Sequence, residues 1–379
     1  MGNGIELISS CNLDQIEYKS EKTVNDRNYG LDLLKIMLTL LIVAGHFTLH
    51  GVKTLNAPLF EEYYMSMLGI SAVCMPAVNV FFLISGYFGI KSNVVKFSKL
   101  IEPMYLIGIG VALGAVIFSL DVGISFFVKS FLFPFEIWWF ATVYLILFLA
   151  SKYLHIIYNI LSDKELFVLI IGLVILNTVQ GFLFEGKYYG NGFSIMQAVL
   201  MYTLGAGIKR FVIKVPGKFL GGGIYLVCSA LVFAGRYIIE YYGFDSVGTI
   251  FNSYSNPVVI VQAIALFSLF KSILFKNEVF QRITVFFSTS TLITYLLTDH
   301  YMVRKILYSF PVDIIDKYGY PISTIFITAV LCLIVATLFE KINTLFLSII
   351  IESFKKCDSK NKYLICVKKY NSHEKGAQK

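Results

Sequence analysis

Charge is scarce in this chain. Only 15% of its 379 residues are Asp, Glu, Lys or Arg, where a soluble domain carries about 25%. With 57% hydrophobic residues and a mean hydropathy of +0.72, that scarcity excludes an ordinary water-soluble globule. It predicts an all-α, polytopic integral membrane protein. Cysteine is sparse too. The six residues (Cys11, Cys74, Cys228, Cys332, Cys357, Cys366) form no CxxC or other ligand spacing, so no metal site or disulfide framework is expected. No Gly-rich phosphate loop and no zinc-protease motif occurs. Residues 1–30 hold no apolar run, so no cleaved leader is expected and the first span is expected to act as its own signal. No internal repeat is visible, which argues against a transporter built from two related halves. The formal charge of +8 is gathered at span ends and in the tail. Membrane lipid headgroups, and not nucleic acid, are therefore the expected partners.

What is present in abundance is apolar sequence in runs of about 20 residues, the length that crosses a bilayer. Ten such runs are expected, at 31–50, 70–90, 100–119, 138–154, 166–184, 193–208, 221–240, 257–275, 284–300 and 322–350. The chain then divides into an N-terminal tail (1–30), a membrane domain (31–351) and a basic C-terminal tail (352–379). Placing the N-terminus in the cytoplasm puts twelve Lys and Arg residues, Lys91, Lys96, Lys99 and Lys209 among them, in four inner loops. Only Lys53, Lys129, Lys187, Arg304, Lys305 and Lys317 fall in outer loops. Positive charge stays inside, so both termini are expected in the cytoplasm of a multi-pass cell-membrane protein.

The first span, LDLLKIMLTLLIVAGHFTLH, carries a polar stripe. At 100° per residue, Lys35 and His46 lie about 20° apart and Asp32 about 40° from His46. Thr39 lies about 40° beyond Lys35. Ionisable groups in hydrocarbon are costly and face a bundle interior or a water-filled cavity, so they mark a functional site. His46 is one of five histidines, and imidazole is the side chain best suited to proton transfer near neutral pH. Its bland role is an interhelical hydrogen bond. Lys35 is either a snorkelling headgroup contact or a grip on phosphate, and Asp32 its ion-pair partner or a helix-dipole charge.

Further along, NVFFLISGYFGI places Asn79, Ser85 and Gly86 in a helix-packing position. Lys96 and Lys99 precede Glu102-Pro103, where a proline suits the first turn of a helix and the charges line a vestibule. Trp138 and Trp139 read as interfacial aromatics, Arg236 and Glu240 as an i,i+4 pair, and His155 as a loop residue. TYLLTDHYMVRKI adds Asp299, His300 and Arg304 on the side of His46.

On five segments the chain resembles membrane-bound acyltransferase family 3, whose bacterial members O-acetylate surface polysaccharides. They are LDLLKIMLTLLIVAGH (31–46), NVFFLISGYF (79–88), KFSKLIEPMY (96–105), WWF (138–140) and STLITYLLTDHYMVR (290–304). The first is the most specific, a basic residue followed eleven positions later by His. Two departures stand out. Lys35 occupies a place usually held by Arg and lacks its two-pronged grip on phosphate. Thr298 stands where relatives often carry His, with His300 two residues later.

The resemblance implies transfer of an acyl group, most often acetyl, from cytosolic acyl-CoA to a hydroxyl of a surface polysaccharide or lipid-linked glycan. Acetyl-CoA would be a co-substrate, with no permanently bound cofactor. The expected roles are chemistry at His46 and Asp32, donor binding at Lys35, Lys96 and Lys99, and acceptor binding at Asp299, His300, Arg304 and Trp139. His46 either takes the acceptor's proton or itself holds the acyl group. The competing classes are a transporter or flippase that uses the stripe as a path, and a membrane scaffold.

Overall fold

A computed structural model gives the fold. It describes residues 27–52, 63–132, 134–184, 190–242, 251, 253–346 and 348. Residues 1–26 and the tail beyond 348 lie outside that description. So do Cys11, Cys357, Cys366, His373, Lys53, Lys187 and the Glu240 side chain. Among the described residues every regular element is helical.

The helices in chain order begin with α1 (Tyr29–His46), which runs on as a π-helix over Phe47–Val52. Next come α2 (Tyr64–Cys74), α3 (Ala77–Phe88), α4 (Val94–Ile117), α5 (Ile124–Leu132) and α6 (Trp139–Ile160). They are followed by α7 (Asp163–Leu176), α8 (Ile195–Lys209), α9 (Lys218–Tyr241), α10 (Pro257–Lys271) and α11 (Glu278–Ser288). The last are α12 (Thr291–Asp299), α13 (Tyr301–Tyr318) and α14 (Pro321–Phe346). Seven segments among the described residues are long and apolar enough to span a membrane. Their outer faces are apolar: Ile117, Val168, Leu231 and Val335 all stand more than half exposed. Such a surface, on helices long and apolar enough to cross a bilayer, fits a lipid-facing exterior. The chain is a polytopic membrane protein.

Two expected spans are short for the task. α8 and α10 have 15 residues each, about 22 Å of helix against roughly 30 Å of hydrocarbon. Each is preceded by irregular backbone, and the two irregular segments meet: Tyr254 N–H donates to Asn191 O (3.0 Å). Backbone outside a helix survives at membrane depth only when protein satisfies its polar groups. Here buried amides do so. Asn79 and Gln197 both donate to Tyr254 O (2.9 Å each), and Asn177 donates to Ser255 O (3.0 Å). Asn79 is thus an anchor for a loop and not only a helix-packing residue.

At the centre α3 and α8 cross backbone to backbone. A Cβ on Gly86 would collide with the Tyr202 carbonyl, and one on Gly205 with the Leu83 carbonyl. Leu34, Leu38, Phe82, Leu83, Met201 and Phe267 close the core around that crossing.

Several expectations change. The ninth span, expected as one helix over 284–300, is broken at Thr289-Ser290 into α11 and α12. Hydroxyls compete with helical hydrogen bonds: Ser288 and Thr289 bond back to the Val285 and Phe286 carbonyls. Glu340 on α14 takes the Thr289 and Ser290 hydroxyls at 3.0 and 2.7 Å. Pro103 lies inside α4 and not in its first turn, because Asn93 caps the helix a full two turns earlier by accepting from Lys96 N–H. His155 lies in α6, which outruns the expected span by six residues, and not in a loop. Arg236 donates to Ser71 Oγ (2.6 Å) on α2.

Candidate active site

Helix α1 starts where Asn28 accepts from Leu31 N–H, and its stripe is realised. Lys35, Thr39, Ile42 and His46, at steps of four, three and four, all line one cavity of about 490 Å³. That spacing keeps them on one face for three turns. Thr39 points its hydroxyl back to Lys35 O (2.9 Å), so the stripe costs no unpaired donor there. By helical rise Lys35 and His46 are about 16 Å apart, and they stand at opposite ends.

The lysine end gathers Lys35, Lys91, Lys96 and Lys99. Lys91 comes from the turn after α3, and Lys96 and Lys99 from the first turns of α4. The N-terminus of α4 adds its own partial positive charge. Asp32 is buried at 4% exposure and accepts from Arg27 Nε (2.6 Å) and Lys35 Nζ (3.0 Å). It steadies Lys35 and does not line the cavity. The walls between the ends are apolar and aromatic, with Phe81, Ile84, Phe88, Phe140 and Phe148 prominent.

At the histidine end the break around Thr289-Ser290 has a consequence. It aims the C-terminus of α12 at α1, so that Asp299 meets His46. The separation from His46 Nδ1 to Asp299 Oδ1 is 3.5 Å. The same oxygen lies 3.9 Å from His50 Nε2 and 3.6 Å from Arg304 Nη1. Arg304 in turn reaches His50 Nε2 at 3.3 Å. Guanidinium only donates, so His50 accepts there through an unprotonated Nε2. Asp299 faces Nδ1 of His46, which leaves Nε2 as the nitrogen available to the cavity. Tyr295, one turn before Asp299, sets its ring 6.2 Å from the His46 ring and also lines the cavity.

Trp138 and Trp139 part company. Trp138 is fully buried and donates to Leu296 O (3.0 Å), tying α6 to α12. Trp139 lines the cavity and stacks on Tyr254 at 5.9 Å, with Phe193 edge-on at 4.8 Å. His300 is buried away from the cavity. Its Nδ1 accepts from Met302 N–H (3.3 Å) to cap α13, and its ring stacks on Tyr301 at 5.0 Å. It fixes the turn that separates Asp299 from Arg304.

Of the residues singled out from sequence, Lys35, Lys96, Lys99, His46 and Trp139 surround one cavity, and Asp299 and Arg304 stand behind His46. Asp32 and His300 lie outside it. Lys91, Tyr295 and the pairing of His50 were missed. Tyr295 and His50 were findable in principle, each a single helical turn from a named residue. Among the described residues no group of three or more His, Cys, Asp and Glu is arranged to hold a metal ion.

One comparison with known proteins gives a match. A family model described as an acyltransferase domain fits residues 28–341, which takes in the whole cavity. No curated protein and no solved structure matches the chain.

Proposed function

The chain belongs to membrane acyltransferase family 3, and from that premise we propose that it moves an acetyl group from cytosolic acetyl-CoA to a hydroxyl of a cell-surface glycan. The observation that carries this reading is one continuous cavity with four lysines at one end and a carboxylate-backed histidine at the other. In the proposed orientation both termini are cytoplasmic, the lysine end opens to the cytoplasm, and the protein sits in the cell membrane. Phosphates of the donor lie among Lys35, Lys91, Lys96 and Lys99, and the thioester arm extends along the aromatic walls toward His46. A lysine where relatives use arginine still supplies point charge to phosphate, and three neighbouring lysines offset the lost fork geometry.

At the far end the acceptor hydroxyl attacks the thioester carbonyl while His46 Nε2 takes its proton. Asp299 holds the Nδ1 proton and stabilises the imidazolium that forms, as in other base–orienter pairs. Collapse of the tetrahedral intermediate breaks the C–S bond, and His46 returns the proton to the departing thiolate. The 3.5 Å gap between His46 and Asp299 is one that closes when substrates bind. Apolar walls limit loss of the thioester to water. Arg304, Trp139 and the Tyr254 and Phe193 rings beside it receive the sugar.

The test is release of free CoA from acetyl-CoA by purified protein in nanodiscs, with native envelope glycan as acceptor and His46→Ala as control. Acceptor-dependent release that vanishes in the variant supports the reading. No release with several acyl donors and acceptors, from folded protein, overturns it in favour of transport. Release that survives His46→Ala keeps the acyltransferase and removes His46 from its centre.

A further inference from the structure

We propose that Tyr202 and His155 form a latch that positions the Gly89–Lys91 rim of the cavity for the phosphate end of the acyl donor. The proposal rests on the donor site described above. Gly89, Ile90 and Lys91 all line the cavity. They follow α3 directly, and Gly89 takes the chain out of the helix with φ +73°, a conformation that glycine adopts without strain. The rim is then held from two other helices. Tyr202 of α8 is fully buried, and its hydroxyl accepts from Ile90 N–H (3.1 Å). The same oxygen lies 2.8 Å from His155 Nε2 on α6. The His155 ring also covers Gly89: a Cβ there would come within 2.8 Å of ring atoms.

Hydrogen bookkeeping fixes the direction of the bond to the rim. A backbone N–H only donates, so the Tyr202 oxygen accepts from Ile90, and it shares one proton with His155 Nε2. Ile90 is 9% exposed, so its amide has little water to fall back on, and an unpaired buried amide is costly. The latch thus pins the residue immediately before Lys91 and sets where that ammonium stands beside Lys35, Lys96 and Lys99. Neither Tyr202 nor His155 lines the cavity, so both are positioning residues and touch no reacting atom.

The experiment compares full-length wild type, Tyr202→Phe, His155→Ala and His155→Gln in nanodiscs, by steady-state kinetics and by hydrogen exchange of peptides covering residues 89–91. Losing one such bond should raise KM for acetyl-CoA about three- to tenfold, with kcat within about twofold and acceptor KM unchanged. Exchange at the rim should rise in Tyr202→Phe and His155→Ala. The Tyr202→Phe/His155→Ala double variant should be no worse than the worse single one, because both break the same chain. His155→Gln, whose side-chain amide can either donate to or accept from Tyr202, should recover part of the donor KM. An unchanged donor KM, or a fall in kcat at constant KM, overturns the proposal. Should wild type release no CoA at all, the donor reading falls, and exchange at 89–91 still decides the latch. Unchanged exchange in Tyr202→Phe and His155→Ala overturns it in every case.

Discussion

The two ends of the cavity hold their charged groups in opposite ways. At the lysine end four ammonium groups face one opening, and only Lys35 has an ion pair among the described residues. At the histidine end one carboxylate oxygen of Asp299 faces three nitrogens, from His46, His50 and Arg304. An excess of like charge on long, flexible stems suits an anion that arrives and leaves. A single oxygen set between the His46 ring and the Arg304 guanidinium, which also holds His50, suits groups that must not move. On the function proposed above, the contrast assigns donor binding to one end and rate to the other within a cavity of about 490 Å³.

Substitutions should therefore split into two kinetic classes. The largest effect is expected from His46→Ala, a loss of about 10³-fold in acceptor-dependent CoA release with donor KM unchanged. A comparable change in donor KM would erase the distinction between the ends. Asp299→Asn keeps the shape and removes the charge behind His46, and should cost about 10²-fold in kcat. If it weakened only acceptor binding, Asp299 would belong to the sugar and not to the base. The Lys96→Ala/Lys99→Ala pair should raise donor KM about tenfold and flatten its dependence on ionic strength, with kcat preserved. Steady-state kinetics at two salt concentrations read both quantities. The smallest effect on kcat is expected from Asp32→Asn, under about threefold, because its carboxylate holds Arg27 and Lys35 and does not line the cavity. A loss equal to that of Asp299→Asn would place Asp32 in the chemistry after all.

How much of this was readable from the chain depends on how far each contact reaches. The stripe of Lys35, Thr39 and His46 was legible because one helix and one period fix it. Lys96, Lys99 and Trp139 were legible as charges and rings at helix ends. The partnership of His46 with Asp299 was not, since nothing in either segment specifies that α12 ends against α1. That meeting depends on the break at Thr289-Ser290, which needs Glu340 of α14 to hold it. The place of His300 was hidden for a related reason: it was expected beside the acceptor with Asp299 and Arg304, and its ring is buried, where it caps α13 and does not line the cavity. The shortness of α8 was already in the expected bounds 193–208, whereas α10 ends at Lys271, four residues before the expected end. That Asn79, Gln197 and Asn177 would satisfy the irregular backbone before these helices was hidden. Hydropathy measures where chain is apolar, and stays silent on where it stops being helical.

The protein has only two tryptophans, and they are neighbours. Trp138 is sealed against α12 while Trp139 faces the cavity beside Tyr254. All tryptophan emission from this chain therefore originates at one end of one cavity, against a background of 24 tyrosines. Trp138→Phe would leave a single native emitter next to the place where the sugar is proposed to sit. If the sugar sits where it is proposed to sit, that emitter is an optical gauge of occupancy, and acceptor titrations can be followed by light without a label.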